Sequence, residues 1–333
     1  MTARARDAHR ALVAVLGPTS SGKSALGMAL AERFDGEIVS CDSTAVYRGF
    51  DIGTDKVAVE ERRGIPHHLI DTVDPATEYT AADYARDAIE VITAIRRRGR
   101  LPIVVGGTGF YYRALSRGLF PGPGKDAALR RRLDTLALRA GTERLHRLLA
   151  RIDAPSARRI HPHDRVRVVR ALEVYFQTGR TLTEHFSDTE APLAGWSTAA
   201  LALGPPWAEI TDRIARRVDR QFDRGIVGEV RSLLDAGVPE ASRPFAGYVY
   251  RHVLEVIQGR CDEASARESI IRENRRYARR QLIWFRKEPN LDWIALTGER
   301  REALAAAVTI VSARLAWPAR RAEQEEGATH GCG

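Results

Sequence analysis

The stretch Gly17-Pro18-Thr19-Ser20-Ser21-Gly22-Lys23-Ser24 follows the apolar run Ala11-Leu-Val-Ala-Val-Leu16 and leads into a helical pattern from Ser24 to Phe34. An apolar strand, a glycine-flanked loop and a helix, in that order, make the phosphate-binding arrangement G-x-x-x-x-G-K-[ST]. Its glycines let the backbone curl so that successive N–H groups face phosphate oxygens, and the helix start adds its positive dipole end. Lys23 is placed to reach the phosphates as a cation, and the Ser24 hydroxyl to ligate Mg²⁺. Lysine stands at only four positions, Lys23, Lys56, Lys125 and Lys287, so composition does not explain one at this place in the motif. The competing reading, a glycine turn with an idle lysine, leaves the flanking strand and helix unexplained. A phosphate or pyrophosphate is therefore expected on residues 17–24, with the chemistry that follows left open.

Outward from the loop, short apolar runs alternate with helical patterns, as parallel strands buried between helices do. Strands are expected at Leu12–Leu16, Glu37–Ser40, His68–Ile70, Pro102–Val105 and Thr198–Leu203, and the clearest helix at Ala82–Arg97. The fold class is α/β: a P-loop, nucleotide-kinase-like parallel sheet with helices on both faces. After Pro121-Gly-Pro-Gly124 every pattern from Lys125 to about Phe186 is helical and charged, bounded by a loop from Ser187 to Trp196. The expected organisation is a first part of the core over 1–123, an inserted all-helical subdomain over 124–196, and completion of the core over 197–317. Residues 207–315 read as helical, and 318–333 as a disordered tail with little that could pack.

With 333 residues the chain has ample core, and no apolar run nears the ~20 residues of a membrane span. Residues 1–10 lack the hydrophobic segment of a signal peptide, and Cys41, Cys261 and Cys332 share no metal or disulfide spacing. Both points suit a soluble cytoplasmic protein with no membrane partner. Net charge is +9, and only four of the 52 basic residues are lysine. An excess of arginine reads either as a footprint for a polyanion such as RNA or as biased composition. Clustering has to decide.

Ligands of open α/β sheets sit at the carboxyl ends of the strands. Asp42 lies just past the second strand and Thr108, in Val105-Gly-Gly-Thr-Gly109, just past the fourth. Spacing alone leaves Asp42 open as a catalytic acid–base group or as the N-cap of a short helix from Ser43. It likewise favours a plain glycine turn at Thr108. No strand ends in a Walker B acid; Asp71 is the nearest substitute, which weakens a motor-ATPase reading. From Ala266 to Lys287 there are eight basic side chains against two acidic. Ile271, Ala278, Leu282 and Phe285 would form the buried stripe, which turns Arg272, Arg276, Arg279 and Arg280 outward near Tyr277 and Trp284. Outward arginines beside aromatics suit phosphate contact and base stacking, or else a solvated charged face. A second basic cluster, Arg165-Val-Arg-Val-Val-Arg170, lies in the insert, and the His67/His68 and His161/His163 pairs lack zinc spacing.

These residues together resemble the tRNA dimethylallyltransferase family, over about residues 11–290. The likeness is carried by the phosphate loop, Asp42-Ser43, Tyr47-Arg48, Asp51-Ile-Gly-Thr54, Pro66-His-His-Leu-Ile-Asp71 and Gly106-Gly-Thr-Gly-Phe-Tyr111. His161-Pro-His-Asp164, Arg170-Ala-Leu-Glu-Val174, Thr178-Gly179, Gly247-Tyr248 and Tyr277-Ala-Arg-Arg-Gln281 continue it in order. The resemblance implies transfer of a dimethylallyl group from dimethylallyl diphosphate to the exocyclic amine of the adenosine 3′ to the anticodon, by a monomer. It implies Asp42 as general base, Thr108 supporting the leaving oxygen, and Arg217 as a clamp on the diphosphate. The tRNA anticodon stem-loop is then expected on Asp42, Ser43, Thr44, Ala45 and Thr108, on Val166, Arg167, Val168, Val169 and Arg170, and on Gly247 and Tyr248. Arg275, Arg276, Arg279 and Arg280 of the basic helix are expected to join them. Ala45 departs from the glutamine of many members, and Val249 from the arginine that usually follows Gly-Tyr. The cysteine–histidine finger of eukaryotic members is absent, which points to the bacterial type. Rival readings are an isopentenyltransferase for free adenylate, a small-molecule kinase and a non-enzymatic RNA-binding protein.

Overall fold

Six apolar residues in a row make β1 (Ala11–Leu16), and every one of them is fully buried. Burial on both faces is what a central parallel strand requires. The computed structural model describes residues 10–120, 122–315 and 317. Among them β1 lies between β4 (Leu101–Gly106) and β5 (Ser197–Leu203) in an all-parallel sheet. The strand order is β3-β2-β4-β1-β5-β6, where β2 is Gly36–Ser40, β3 is His67–His68 and β6 is Asp292–Ile294. The expected tail over 318–333 lies outside the described residues.

The pleat sends alternate residues to opposite faces. Ala11, Val13 and Val15 of β1 pack in one core with α1 (Lys23–Phe34) and α13 (Arg301–Leu315). Leu12, Ala14 and Leu16, on the other face, are as fully buried, and α2 (Ala81–Arg97) packs against β4 and β2. Thr80 caps α2 through a reciprocal box with Asp83, which fixes where that helix begins.

Two expectations are corrected. β3 stops at His68, because Leu69 and Asp71 turn into the left-handed region at φ 59° and 57° and leave the ladder. The 207–315 region is not wholly helical, since β6 pairs with β5 at the sheet edge. Three residues with an aspartate and an exposed tryptophan carry no strand pattern.

By its contacts the chain divides into two compact units, one of residues up to 115 with those from 195 on, the other of 116–194. The second is all helical: α4 (Ala127–Ala140), α5 (Thr142–Ile152), α6 (Ala154–Arg159), α7 (Arg165–Thr178) and α8 (Leu182–Ser187). Its core is Leu133, Ala137, Leu145, Leu149, Val168, Val169, Leu172 and neighbours. The buried Glu173 carboxylate is held by Arg130 at 2.5 Å, Arg170 at 2.9 Å and the Asp126 N–H at 3.0 Å, and burial without those partners would be costly.

α3 (Gly109–Arg117) begins directly after Thr108. The remaining helices are α9 (Trp207–Asp223), α10 (Ile226–Asp235), α11 (Tyr248–Ile257) and α12 (Glu263–Phe285). No helix among the described residues is long and apolar enough to cross a membrane.

Candidate active site

The loops that follow β1, β2 and β4 open on one cavity of about 980 Å³, whose walls come entirely from the first unit. Thr19, Ser20, Gly22, Lys23 and Ser24 of the phosphate loop line it. Gly22 sits at φ 85° ahead of α1 and no side chain caps that helix, so its first-turn N–H groups are donors without an intrahelical acceptor. Ser21 is fully buried and donates to the Pro18 carbonyl at 2.9 Å, bracing the loop from behind. Lys23 Nζ donates to the same carbonyl at 2.6 Å. Burial first, and the Arg217 charge second, bring its pKa down from 10.5 to about 8. Two cations pressed together in a partly desolvated site are favourable to an anion.

Arg217 reaches in from α9. It donates to Thr19 Oγ1 at 2.8 Å and to the Thr54 carbonyl at 3.1 Å, and pairs with Asp55 at 3.4 Å. Its neighbour one turn earlier, Arg213, donates to the Ser20 carbonyl at 2.7 Å and pairs with Glu299. Arg213 and Glu299 were not expected from the sequence. Glu299 sits in a Gly-Glu turn beyond the span of family likeness, and nothing local distinguishes it from surface.

Across the cavity, Asp42 makes a turn and not the start of a helix. Its Oδ1 accepts from Thr44 N at 2.9 Å, Thr44 Oγ1 at 2.7 Å and Ala45 N at 3.3 Å. No hydrogen bond among the described residues falls on Oδ2. One carboxylate oxygen thus shapes the loop while the other can take a proton. Thr108 Oγ1 accepts the Ser43 N–H at 3.1 Å, and the Thr108 N–H donates to the Cys41 carbonyl at 3.2 Å. Both bonds need close approach of two loops: a Cβ on Gly106 would lie 2.0 Å from the Cys41 carbonyl oxygen. This is why β4 ends in glycine where a Walker B acid would stand. Asp71 does not replace that acid, since it lies outside the cavity lining and is paired with Lys56.

Tyr277 and Tyr248 complete the wall. Burial, then the Asp42 charge, raise the Tyr277 phenol to about 12, so it remains a protonated donor at neutral pH. On α12 the buried stripe differs from the one expected: Ala266, Ile270, Asn274, Ala278, Gln281 and Phe285. Ile271 and Leu282 flank it against Ile210 and Ile214. Asn274 and Gln281 are polar yet buried because this stripe faces the cavity. Arg275, Arg276, Arg279 and Arg280 point to solvent and make no ion pair among the described residues; Arg279 lies 5.0 Å over Trp207.

In the insert, Val166 is 75% exposed and Arg167 is exposed, bonded at 3.0 Å to Asp164. Val168 and Val169 are corrected as RNA-contact residues: the helical period turns both into the core of the insert. Arg170 is committed to Glu173 and to the Pro123 carbonyl at 2.8 Å. Of the two family departures, Ala45 and Val249 are both 8% exposed and line the cavity.

Residues 45–288 match the profile of the family described as IPP transferase. Over 295 residues the chain is 48% identical to a tRNA dimethylallyltransferase of Solibacter usitatus, spanning 87% of this chain and 94% of that relative. The chain belongs to the tRNA dimethylallyltransferase family. A family member from Geobacter sulfurreducens is 44% identical over 283 residues, 85% of this chain and 91% of the relative. Among solved structures, the tRNA isopentenylpyrophosphate transferase of Bacillus halodurans superposes with a TM-score of 0.69 at 35% identity, covering 92% of this chain and 97% of that one. A eukaryotic dimethylallyltransferase captured acting on tRNA gives a TM-score of 0.74 at 25% identity, with 94% and 81% covered.

Proposed function

We propose that this chain transfers the dimethylallyl group of dimethylallyl diphosphate to the exocyclic amine of the adenosine 3′ to the anticodon in tRNA, releasing diphosphate. The observation that carries the reading is that one cavity holds both an anion cradle and, across from it, the partly uncommitted carboxylate of Asp42. The adenine amine is a poor nucleophile because its lone pair is delocalised into the ring. As that nitrogen attacks the allylic carbon, its proton passes to Asp42 while the carbon–oxygen bond to diphosphate breaks. Lys23, the first-turn N–H groups of α1 and Arg217 hold the charge that grows on the leaving group. Thr108 fixes the Ser43 turn beside Asp42 and supports the leaving oxygen.

The donor set fits Mg²⁺. No trio of His, Cys, Asp or Glu able to hold a metal occurs among the described residues, and the Ser24 hydroxyl is exposed in the cavity. Magnesium commonly binds through substrate phosphates and waters with only one or two protein oxygens, and Ser24 would supply one. When bound it would neutralise phosphate charge. The adenine must leave its stack to reach an enclosed site, as in other enzymes that act on bases. The exposed arginines of α12, together with Val166 and Arg167 of the insert, would hold the stem-loop. We take the enzyme to act as a monomer, and a tRNA substrate goes with a cytoplasmic location.

Incubation with radiolabelled dimethylallyl diphosphate and either bulk tRNA or AMP tests the reading. Label is expected in tRNA, on the adenosine 3′ to the anticodon, and not in AMP. Label in AMP alone would move the protein to the free-adenylate class, and ATP consumption with a phosphorylated product to the kinases.

A further inference from the structure

The backbone ladder between β1 and β4 ends at the Leu16–Gly106 pair. Beyond it the phosphate loop and the Gly107-Thr108 loop run side by side, with no backbone hydrogen bond between them among the described residues. The side chain of Gln281, from α12, stands in that gap. Its Oε1 accepts the Thr19 N–H at 2.8 Å and its Nε2 donates to the Gly107 carbonyl at 2.8 Å. A primary amide offers the same donor–acceptor pair as a peptide group, so this side chain adds one more rung to the ladder. Gln281 is 6% exposed, and both its amide oxygen and its amide nitrogen are bonded to these two loops.

We infer that Gln281 is a positioning residue that sets the spacing between the diphosphate cradle and the Thr108–Asp42 loops. This rests on the transferase reading above. Three features support it. The Thr19 N–H is engaged by Gln281 and its hydroxyl oxygen by Arg217, so Thr19 acts as an anchor. Gly107 is cut to fit: a Cβ there would lie 2.4 Å from Gln281 Nε2 and 3.3 Å from the Gly17 carbonyl oxygen. Only an amide serves, since a glutamate would lose the donor to Gly107 and set a carboxylate beside the diphosphate site. Misplacing reacting groups by about 1 Å can cost about 10²-fold in rate, so spacing alone is a strong lever.

The test is single-turnover transfer with saturating tRNA and dimethylallyl diphosphate, alongside the KM for the diphosphate and the Kd for tRNA. Gln281→Met keeps the volume and removes both hydrogen bonds; the transfer rate should fall about 10- to 100-fold, with tRNA Kd within about twofold of wild type. Gln281→Glu should in addition raise the diphosphate KM. Gly107→Ala pushes on the same clasp from the other side and should give a similar loss. In Gln281→Ala/Gly107→Ala, where the cavity accepts the new methyl group, the loss should not exceed the larger of those of Gln281→Ala and Gly107→Ala measured singly. A wild-type transfer rate in folded Gln281→Met, or additive losses in the double variant, overturns the inference. Should Gln281→Met fail to fold by circular dichroism, a wild-type rate in Gly107→Ala overturns it instead. Absence of transfer by the wild type would sink the underlying reading and not this one.

Discussion

The two oxygens of Asp42 have separate duties, and that division can be measured. Asp42→Asn keeps an acceptor at the Oδ1 position for the Thr44 and Ala45 N–H groups but cannot take a proton. Its transfer rate should therefore drop by about 10² to 10⁴, nearly as far as that of Asp42→Ala. Fold stability should change by only about 1 kcal/mol in either variant, the usual worth of a lost local cap. A near-normal single-turnover rate for Asp42→Asn would remove the carboxylate from the chemistry. Lys23 gives a second residue-level outcome. Its pKa of about 8 places the loss of its charge within a workable range, so kcat/KM for the diphosphate should decline as pH rises past about 8. Lys23→Arg should lack that limb. The effect on folding has the opposite sign: the unfolded chain keeps the proton to about 10.5, so Lys23 makes the fold more stable as pH climbs from about 8 to 10.5.

Elements position Arg217 as much as its own side chain does. The loop it grips, Asp51 to Asp55, is tied down by α10 and α11. Glu229 of α10 accepts the Asp51 N–H at 3.0 Å and the Ile52 N–H at 2.6 Å, and Tyr250 of α11 donates to the same carboxylate at 2.8 Å. Gln221 of α9 holds the Gly53 carbonyl at 3.1 Å. Glu229→Ala strips two backbone donors of their partner, and urea unfolding should show a loss of about 2 kcal/mol. The diphosphate KM should rise with it, because the Thr54 carbonyl and Asp55 drift from Arg217. An unchanged KM in the folded variant would mean that Arg217 needs no such support. Nothing in Ile226-Val-Gly-Glu229 signals this duty in advance, since a glutamate in the first turn of a helix ordinarily complements the helix dipole.

At the scale of the molecule, charge answers the question of partner. With Arg275, Arg276, Arg279 and Arg280 exposed and without ion-pair partners among the described residues, α12 presents a row of cations that the proposed tRNA reading pairs with phosphates. Affinity for tRNA should fall steeply with salt, and replacing two of these arginines by Ala should shrink the slope by about one per lost contact. A slope that does not move would reduce them to a solvated face. In the insert, Arg170→Ala should act differently. That arginine neutralises the buried Glu173, so the variant should lower thermal stability before it alters the salt slope.

Local chemistry determined whatever the sequence settles by itself. The phosphate loop, the alternation of apolar runs with helices, the charged all-helical stretch and the outward arginines are each written in adjacent residues or at one helical period. The tertiary structure alone decided what depends on residues distant in the chain. Gln281 and Asn274 lie outside the buried stripe expected from the helical period, and only the packing of α12 against the cavity buries them. Glu299 looks like an ordinary solvent-facing acid until Arg213 of α9 meets it, and Glu229 until a loop more than a hundred residues away does. Val168 and Val169 stand between arginines in a basic cluster, yet the turn of α7 takes both inside. A buried polar group is stable only when partners from elsewhere satisfy it, and no local pattern records where those partners will be.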